Sequence, residues 1–442
     1  MKNNSKIYLF ALVLGILAIL PACEVDLVVD PNNPSLGSVT NDASKAEMQT
    51  LITGLEARHR VYFDNATEMF GSFGREIWAF FASDPRFLDD WLGRGISETY
   101  PDFFASAGTF VSPYLAVKQA NVINAAADAS STLTAEEVNA YKGFANTVKA
   151  HQLLYPLLQQ FQNGIRIDVD DPLNPGAIVD YDVALSAIRS ILDEGFSQLN
   201  SAGDELPFTL TGGYAGFDTP DGLASVNRAI AARAAIYAED YAGASAALAN
   251  SFMNMEGDLM TGPAHVYGEA PDINNPLFYP FDRATNTILI VHPSMIEDAI
   301  PGDNRLNKFA ERVDNPVTNT GLTGTFQDAR WPSNTSPIAY IRNEELILIA
   351  AEAAAQTGDT DGAVAAINVV RNAAGIGDYE GGTSAMDLMD EILFQRRYSL
   401  WAEGGHRWVD LRRTGRLNGD NVDLRDGGSL FTQVARRTSE SN

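Results

Sequence analysis

The sequence predicts a mostly α-helical protein, with paired helices as scaffold and a loop-rich, irregular second lobe. Three observations carry this expectation. A short alanine-rich pattern recurs, as ALSAI at 184–188, ASAAL at 244–248 and AVAAI at 363–367. Leu346, Ile349, Ala350 and Ala353 form an i, i+3, i+4, i+7 apolar stripe. Between the second and third copies, residues 253–336 are rich in Gly, Pro and Asn with isolated apolar runs, so loops and short strands are expected there.

Each element follows in chain order. Lys2 and Lys6 precede an apolar run from Ile7 to Leu20, which has signal-peptide length and is short for a membrane span. The run closes with Leu20-Pro21-Ala22-Cys23, which resembles a bacterial lipobox. Cys23 is the only cysteine and has no disulfide partner, so lipidation is its expected fate. Residues 1–22 then read as a lipoprotein signal peptide and 23–43 as a lipidated tether, since Pro31, Asn32, Asn33, Pro34 and Gly37 break any helix. Helical patterning begins near Lys45. The length would allow two or three domains. No Pro/Ser-rich or charged linker divides the chain, so residues 44–442 read as one domain. Its helical repeats lie near 181–202, 225–252 and 340–372, with the insertion at 253–336. The second and third repeats share Asp240/Asp359, Gly243/Gly362 and Ala244/Ala363 at one offset, at the place where a second helix would begin after a turn. This is a tetratricopeptide-like arrangement, with small inward residues letting helices approach. Within the insertion, Thr287 to Val291 is the best strand candidate.

The formal charge of −26 disfavours nucleic acid and anionic lipid as partners. Motifs for common enzymes are missing: there is no G-x-S-x-G, H-E-x-x-H, P-loop or G-x-G-x-x-G. The five histidines are scattered without metal-ligand spacing. Asp168, Asp170 and Asp171 suggest a cation loop, but Pro172 and the missing central Gly break the calcium pattern. Paired carboxylates at Asp89/Asp90 and Glu344/Glu345 are chain neighbours, whereas glycosidases bring two carboxyls to one sugar bond from separate segments. No catalytic residue, metal or cofactor is assigned, and the expectation is a binding protein.

Residues 391–415, EILFQRRYSLWAEGGHRWVDLRRTG, are the densest stretch of charge and aromatics. Met389, Leu393, Arg396 and Leu400 share a helix face, so Arg396 needs a carboxylate; Glu403 is one candidate. Gly404 and Gly405 stop that helix. The run resembles the closing motif of SusD/RagB-like proteins, surface nutrient-binding lipoproteins of Bacteroidota-type bacteria. Arg396, Leu400, Glu403, Gly404, Arg407, Trp408, Asp410, Leu411, Arg413, Thr414 and Gly415 match it, while Gln395 and Ser399 replace the usual Glu. Tyr340-Ile341-Arg342 with Ala351-Glu352-Ala353, Arg371, Ala120–Ile123 and Lys149–Leu154 extend the likeness, and the segment from Leu430 to Asn442 lacks the usual tail. Arg396, Glu403, Arg407, Trp408 and Asp410 are therefore expected to hold the fold.

The resemblance implies an outer-membrane, lipid-anchored, outward-facing protein. It would capture oligosaccharide or another nutrient and pass it to a SusC-like TonB-dependent transporter. A tetratricopeptide-like scaffold that binds only proteins is the alternative. Sugars offer flat C–H faces and many hydroxyls, which suit aromatic rings flanked by polar groups. Residues 78–104 hold many aromatics, and the insertion holds more, so Trp91, Arg86, Asp89, Tyr279, Trp331 and Asn334 are the candidate ligand contacts. Trp91 and Trp331 are expected to face one shallow surface.

Overall fold

The computed structural model describes residues 40–95, 108–171, 173–283 and 286–440. Cys23, the signal segment and most of the tether lie outside the described residues, as do Tyr100, Phe103 and Phe104 of the aromatic run.

The protein is mostly α-helical with tetratricopeptide-like helix pairs. The main helices are α1 (Lys45–His59), α2 (Arg86–Trp91), α3 (Val111–Ala129), α4 (Ala135–Gln160), α5 (Tyr181–Leu199), α6 (Pro220–Tyr237), α7 (Tyr241–Leu248), α8 (Asn343–Thr357), α9 (Thr360–Ala373), α10 (Ala385–Ser399) and α11 (His406–Arg413). Side-chain caps start several of them. Ser44 with Glu47, Thr134 with Glu137 and Ser384 with Asp387 form reciprocal capping boxes at α1, α4 and α10. Packing runs in sequence order: α1 on α3, α3 on α4, α4 on α5, α5 on α6, α6 on α7, α7 on α8, and α8 on α9 and α10. Among the described residues, no helix is long and apolar enough to cross a membrane.

The repeated Asp-x-x-Gly-Ala pattern has a physical cause. Asp240 and Asp359 cap α7 and α9 by accepting the N–H of Gly243 and Gly362 at 2.8 and 3.0 Å. A Cβ on either glycine would lie 2.2 or 2.3 Å from a carboxylate oxygen of its own cap. The following Ala244 and Ala363 are fully buried, where a larger side chain would push the helices apart.

A small sheet forms the second lobe. Its strands are β1 (Ile77–Phe81), β2 (Thr287–Val291), β3 (Phe309–Glu311) and β6 (Phe326–Asp328), in the order β1-β2-β6-β3, all antiparallel. Strands β4 (Val317–Asn319) and β5 (Leu322–Gly324) make a separate hairpin. The expected strand from Thr287 to Val291 is β2 itself, paired along its length with β1.

The closing motif is an ion-pair network against the helices. Arg396 Nε reaches Asp410 Oδ2 at 2.6 Å, and Arg413 Nε reaches Asp410 Oδ1 at 2.9 Å. Arg413 also grips Glu352 of α8, at 2.7 Å through Nη2. Glu403 is thus not the partner of Arg396. It pairs with Arg342 at 2.9 and 3.0 Å, because α10 ends at Ser399 and the chain turns before Glu403. Burial raises the Asp410 carboxyl, and Arg396 and Arg413 override that and hold it below its ordinary range. Trp408 is fully buried against Phe70 and Phe73, and its Nε1–H donates to the Phe431 carbonyl at 2.7 Å. Arg407 is held by backbone carbonyls. It donates to the carbonyls of Gly74 and Asn421 at 3.0 and 3.1 Å, and burial with nearby Arg397 lowers its pKa to about 9.

Candidate functional site

An open cleft of about 550 Å³ lies where the edge strand β1 meets the β4–β5 hairpin. Such a volume falls within the usual range for small-molecule pockets. The floor is apolar: Phe80 on β1, its cross-strand partner Ile288 on β2, and Val317 on β4. The rim is polar: Arg283, Asn286, Thr318, Asn319 and Thr320.

Local hydrogen bonds fix this rim. Asn286 accepts the Ser83 N–H at 3.0 Å through Oδ1, and its carbonyl accepts the Ala82 N–H at 2.7 Å. Asn319 Nδ2 donates to the Phe81 carbonyl at 3.0 Å, tying the hairpin to the end of β1. Arg94 donates to Thr320 Oγ1 and to its carbonyl at 3.0 and 2.8 Å. The rim also keeps unused polar capacity. Among the described residues, the exposed Arg283 side chain has neither a hydrogen bond nor an ion pair. An apolar floor beneath a polar rim with a free guanidinium donor suits a ligand with a C–H face and many hydroxyls.

Trp91 is not exposed, which overturns its expected stacking role. It is fully buried and forms the base of an aromatic trio. Phe81 and Phe87 stack at 4.5 Å, and Trp91 meets them edge-on at 5.5 and 5.6 Å. The short α2 turns its apolar side inward, so a ring amid charged neighbours in sequence is still core in space. Trp331 does not share a surface with it. Trp331 is half-buried in a separate cavity of about 190 Å³, with Met260, Arg342 and Glu403. The Arg330 guanidinium lies 5.0 Å from its ring.

The other expected contacts divide by location. Tyr279 is buried and donates its hydroxyl to Glu68 at 3.1 Å, so it serves the interior. Asn334 donates to Asn274 at 3.3 Å, and its carbonyl accepts the Asn275 N–H, locking a loop away from the cleft. Asp89 pairs with Arg94 at 3.4 Å and so stands behind the residue that holds Thr320. Arg86 is exposed, paired with Asp84 at 2.6 Å, beside the cleft residue Pro85. Sequence reasoning did not single out Arg283, Asn286 and Thr318–Thr320. Their signal was modest: two Asn/Thr-rich stretches that flank strand-like runs. The acidic turn is self-satisfied: Asp171 accepts from Leu173 and Asn174, and Asp170 pairs with Lys149. Among the described residues, no group of three or more His, Cys, Asp or Glu could hold a metal.

The family model described as the SusD family matches residues 314–437. Over this C-terminal stretch the chain resembles that family. Solved structures agree in fold along most of the molecule. A SusD superfamily protein from Bacteroides vulgatus ATCC 8482 superposes with a TM-score of 0.66 at 14% identity, covering 87% of this chain and 92% of that one. Surface glycan-binding protein A from Bacteroides thetaiotaomicron, solved in complex with laminarihexaose, gives 0.63 at 14% identity over 89% of this chain and 95% of that one. Surface glycan-binding protein A from Bacteroides uniformis gives 0.62 at 14% identity over 90% and 95%. No curated protein sequence matches the chain. At this identity the likeness establishes the SusD-like fold, and the cleft must be argued from its own residues.

Proposed function

We propose that this SusD/RagB-like chain is a surface carbohydrate-binding protein that holds an oligosaccharide in the cleft between β1 and the β4–β5 hairpin. The observation that carries this reading is the apolar floor of Phe80 and Ile288 under a polar rim whose Arg283 guanidinium is exposed and unpaired among the described residues. The relative solved with laminarihexaose supports carbohydrate as the ligand class and supplies the first probe. Binding involves no bond-breaking step. Cys23 would be acylated and hold the protein at the outer membrane, facing outward. A TonB-dependent transporter of the SusC kind would receive the ligand.

Titration of the protein with laminarihexaose and a panel of other oligosaccharides tests the cleft. One of them should bind, and Arg283→Ala with Thr318→Ala should weaken it while melting stays unchanged. No binding across the panel, together with capture of a protein partner by the helical face, would favour the scaffold alternative. The anchor has its own test. Cys23→Ala should move the protein from the membrane fraction to the soluble one, and an unchanged distribution would contradict acylation.

A further inference from the structure

A second cavity, of about 250 Å³, opens between α1 and the short strand Ala264–His265. It shares no lining residue with the cleft. Glu56, Arg60, Thr211 and Asp272 are among its lining residues, with His59, Tyr214 and His265 as its most buried members. Arg60 holds Asp272 through both terminal nitrogens, so that pair adds no net charge. Glu56 Oε1 takes the Thr211 N–H and hydroxyl at 3.1 and 2.7 Å, and burial raises the Glu56 carboxyl.

A buried relay sets the tautomer of His59. Arg233, paired with Glu345 at 2.6 and 2.5 Å, can only donate. Its Nη1 lies 3.3 Å from His151 Nε2, so that nitrogen accepts. Burial keeps His151 and His59 neutral at physiological pH. His151 therefore carries its proton on Nδ1 and gives it to His59 Nε2, 2.9 Å away. His59 in turn must carry its own proton on Nδ1, a donor with no hydrogen-bond partner among the described residues. Arg60 Nε is a second buried donor without a partner among them.

The lining thus combines fixed donors, carboxylate acceptors and the apolar Ala57, Ala264 and Val266, with little net charge. An anion would find no unpaired cation there. A hydroxyl both donates and accepts, so a polyol matches this mixture. The volume lies below the roughly 300 Å³ at which pockets for larger ligands begin, so one ring fits and a chain does not. We propose that this cavity is a second binding site, for a single neutral sugar ring.

Imidazole NMR of the protein tests it, with glucose, galactose, mannose and N-acetylglucosamine as probes. At least one should shift the His59 and His265 signals saturably, and His59 should show the Nδ1–H tautomer. Ala57 is exposed at the mouth, so Ala57→Trp should fill the cavity without disturbing the core and weaken the sugar by about tenfold or more. The Arg283→Ala/Thr318→Ala variant should bind the single sugars as the parent does, so the two sites fail separately. Absent or unsaturable shifts, or parental affinity in a folded Ala57→Trp, overturn the proposal.

Discussion

The closing helix α11 and the cleft are both rich in charge and aromatics, yet they are built in opposite ways. At α11, Asp410 is locked between Arg396 and Arg413, and Arg413 is held by Glu352 as well. Trp408 has spent its one donor on the Phe431 carbonyl. At the cleft, Arg283 is exposed without a partner among the described residues. Buried, paired charges hold structure, and an exposed, unpaired charge on a formed rim is available to a ligand. Density of unusual residues in sequence therefore marked the end that holds the fold, as expected for Arg396 and Asp410, and not the cleft.

The sharpest way to break this contrast is to remove a saturated group. Asp410→Ala leaves Arg396 without its carboxylate and should cost about 3–5 kcal/mol in denaturant unfolding. A variant that unfolds like the parent but loses ligand would invert the assignment. Trp91→Ala should likewise cost about 3–5 kcal/mol, since it empties the base of the Phe81–Phe87 trio. The protein that remains folded should still bind; full stability with lost binding would restore Trp91 as a contact.

Acidity tests the buried polar core next. Burial lowers all five histidines, His59 and His292 to about 3 and His406 to about 4, with His151 and His265 also well below 6.5. Below pH 6.5 the unfolded chain takes up protons that the folded one refuses, so stability falls with acid, by up to about 1.4 kcal/mol per pH unit per histidine. Glu68 and Glu76 work the other way. Burial raises both to about 8, so the folded chain keeps protons that the unfolded one releases near 4.5, and stability falls as pH rises toward 8. Five groups outweigh two below pH 6.5, and the two prevail above it until Lys308, which burial lowers to about 8, loses its proton in the folded chain and opposes them. Thermal melting should peak near pH 6.5 and fall more steeply on the acid side; a flat profile from pH 5 to 8 would contradict this burial.

Smaller effects come from single contacts. Arg283→Ala and Thr318→Ala should each cost about 1 kcal/mol of binding, roughly fivefold, with stability unchanged. Gly362→Ala should cost about 1 kcal/mol of stability through its Asp359 cap and leave binding alone. Calorimetry on the same preparations separates these two kinds of loss.

What was legible in sequence follows the same line. Helix pairs were visible because burial imposes a period, and Asp359-x-x-Gly362-Ala363 was visible because a cap demands it. The strand from Thr287 to Val291 was visible as a short β-branched run. Partners were not. Glu403 meets Arg342 from 61 residues away, across a turn that periodicity cannot describe. The cleft was hidden for a similar reason. Phe80 and Phe81 are chain neighbours on opposite faces of β1, one lining the cleft and one packing on Trp91. Composition alone does not say which ring faces out.

Hydrogen–deuterium exchange with and without a bound oligosaccharide tests the central claim most directly. Ligand should slow exchange at 80–86, 286–288 and 316–320, the segments that form the cleft, and leave the loops around Trp331 unchanged. Protection around Trp331 and Asn334, with the cleft exchanging as before, would place the ligand elsewhere and contradict the account.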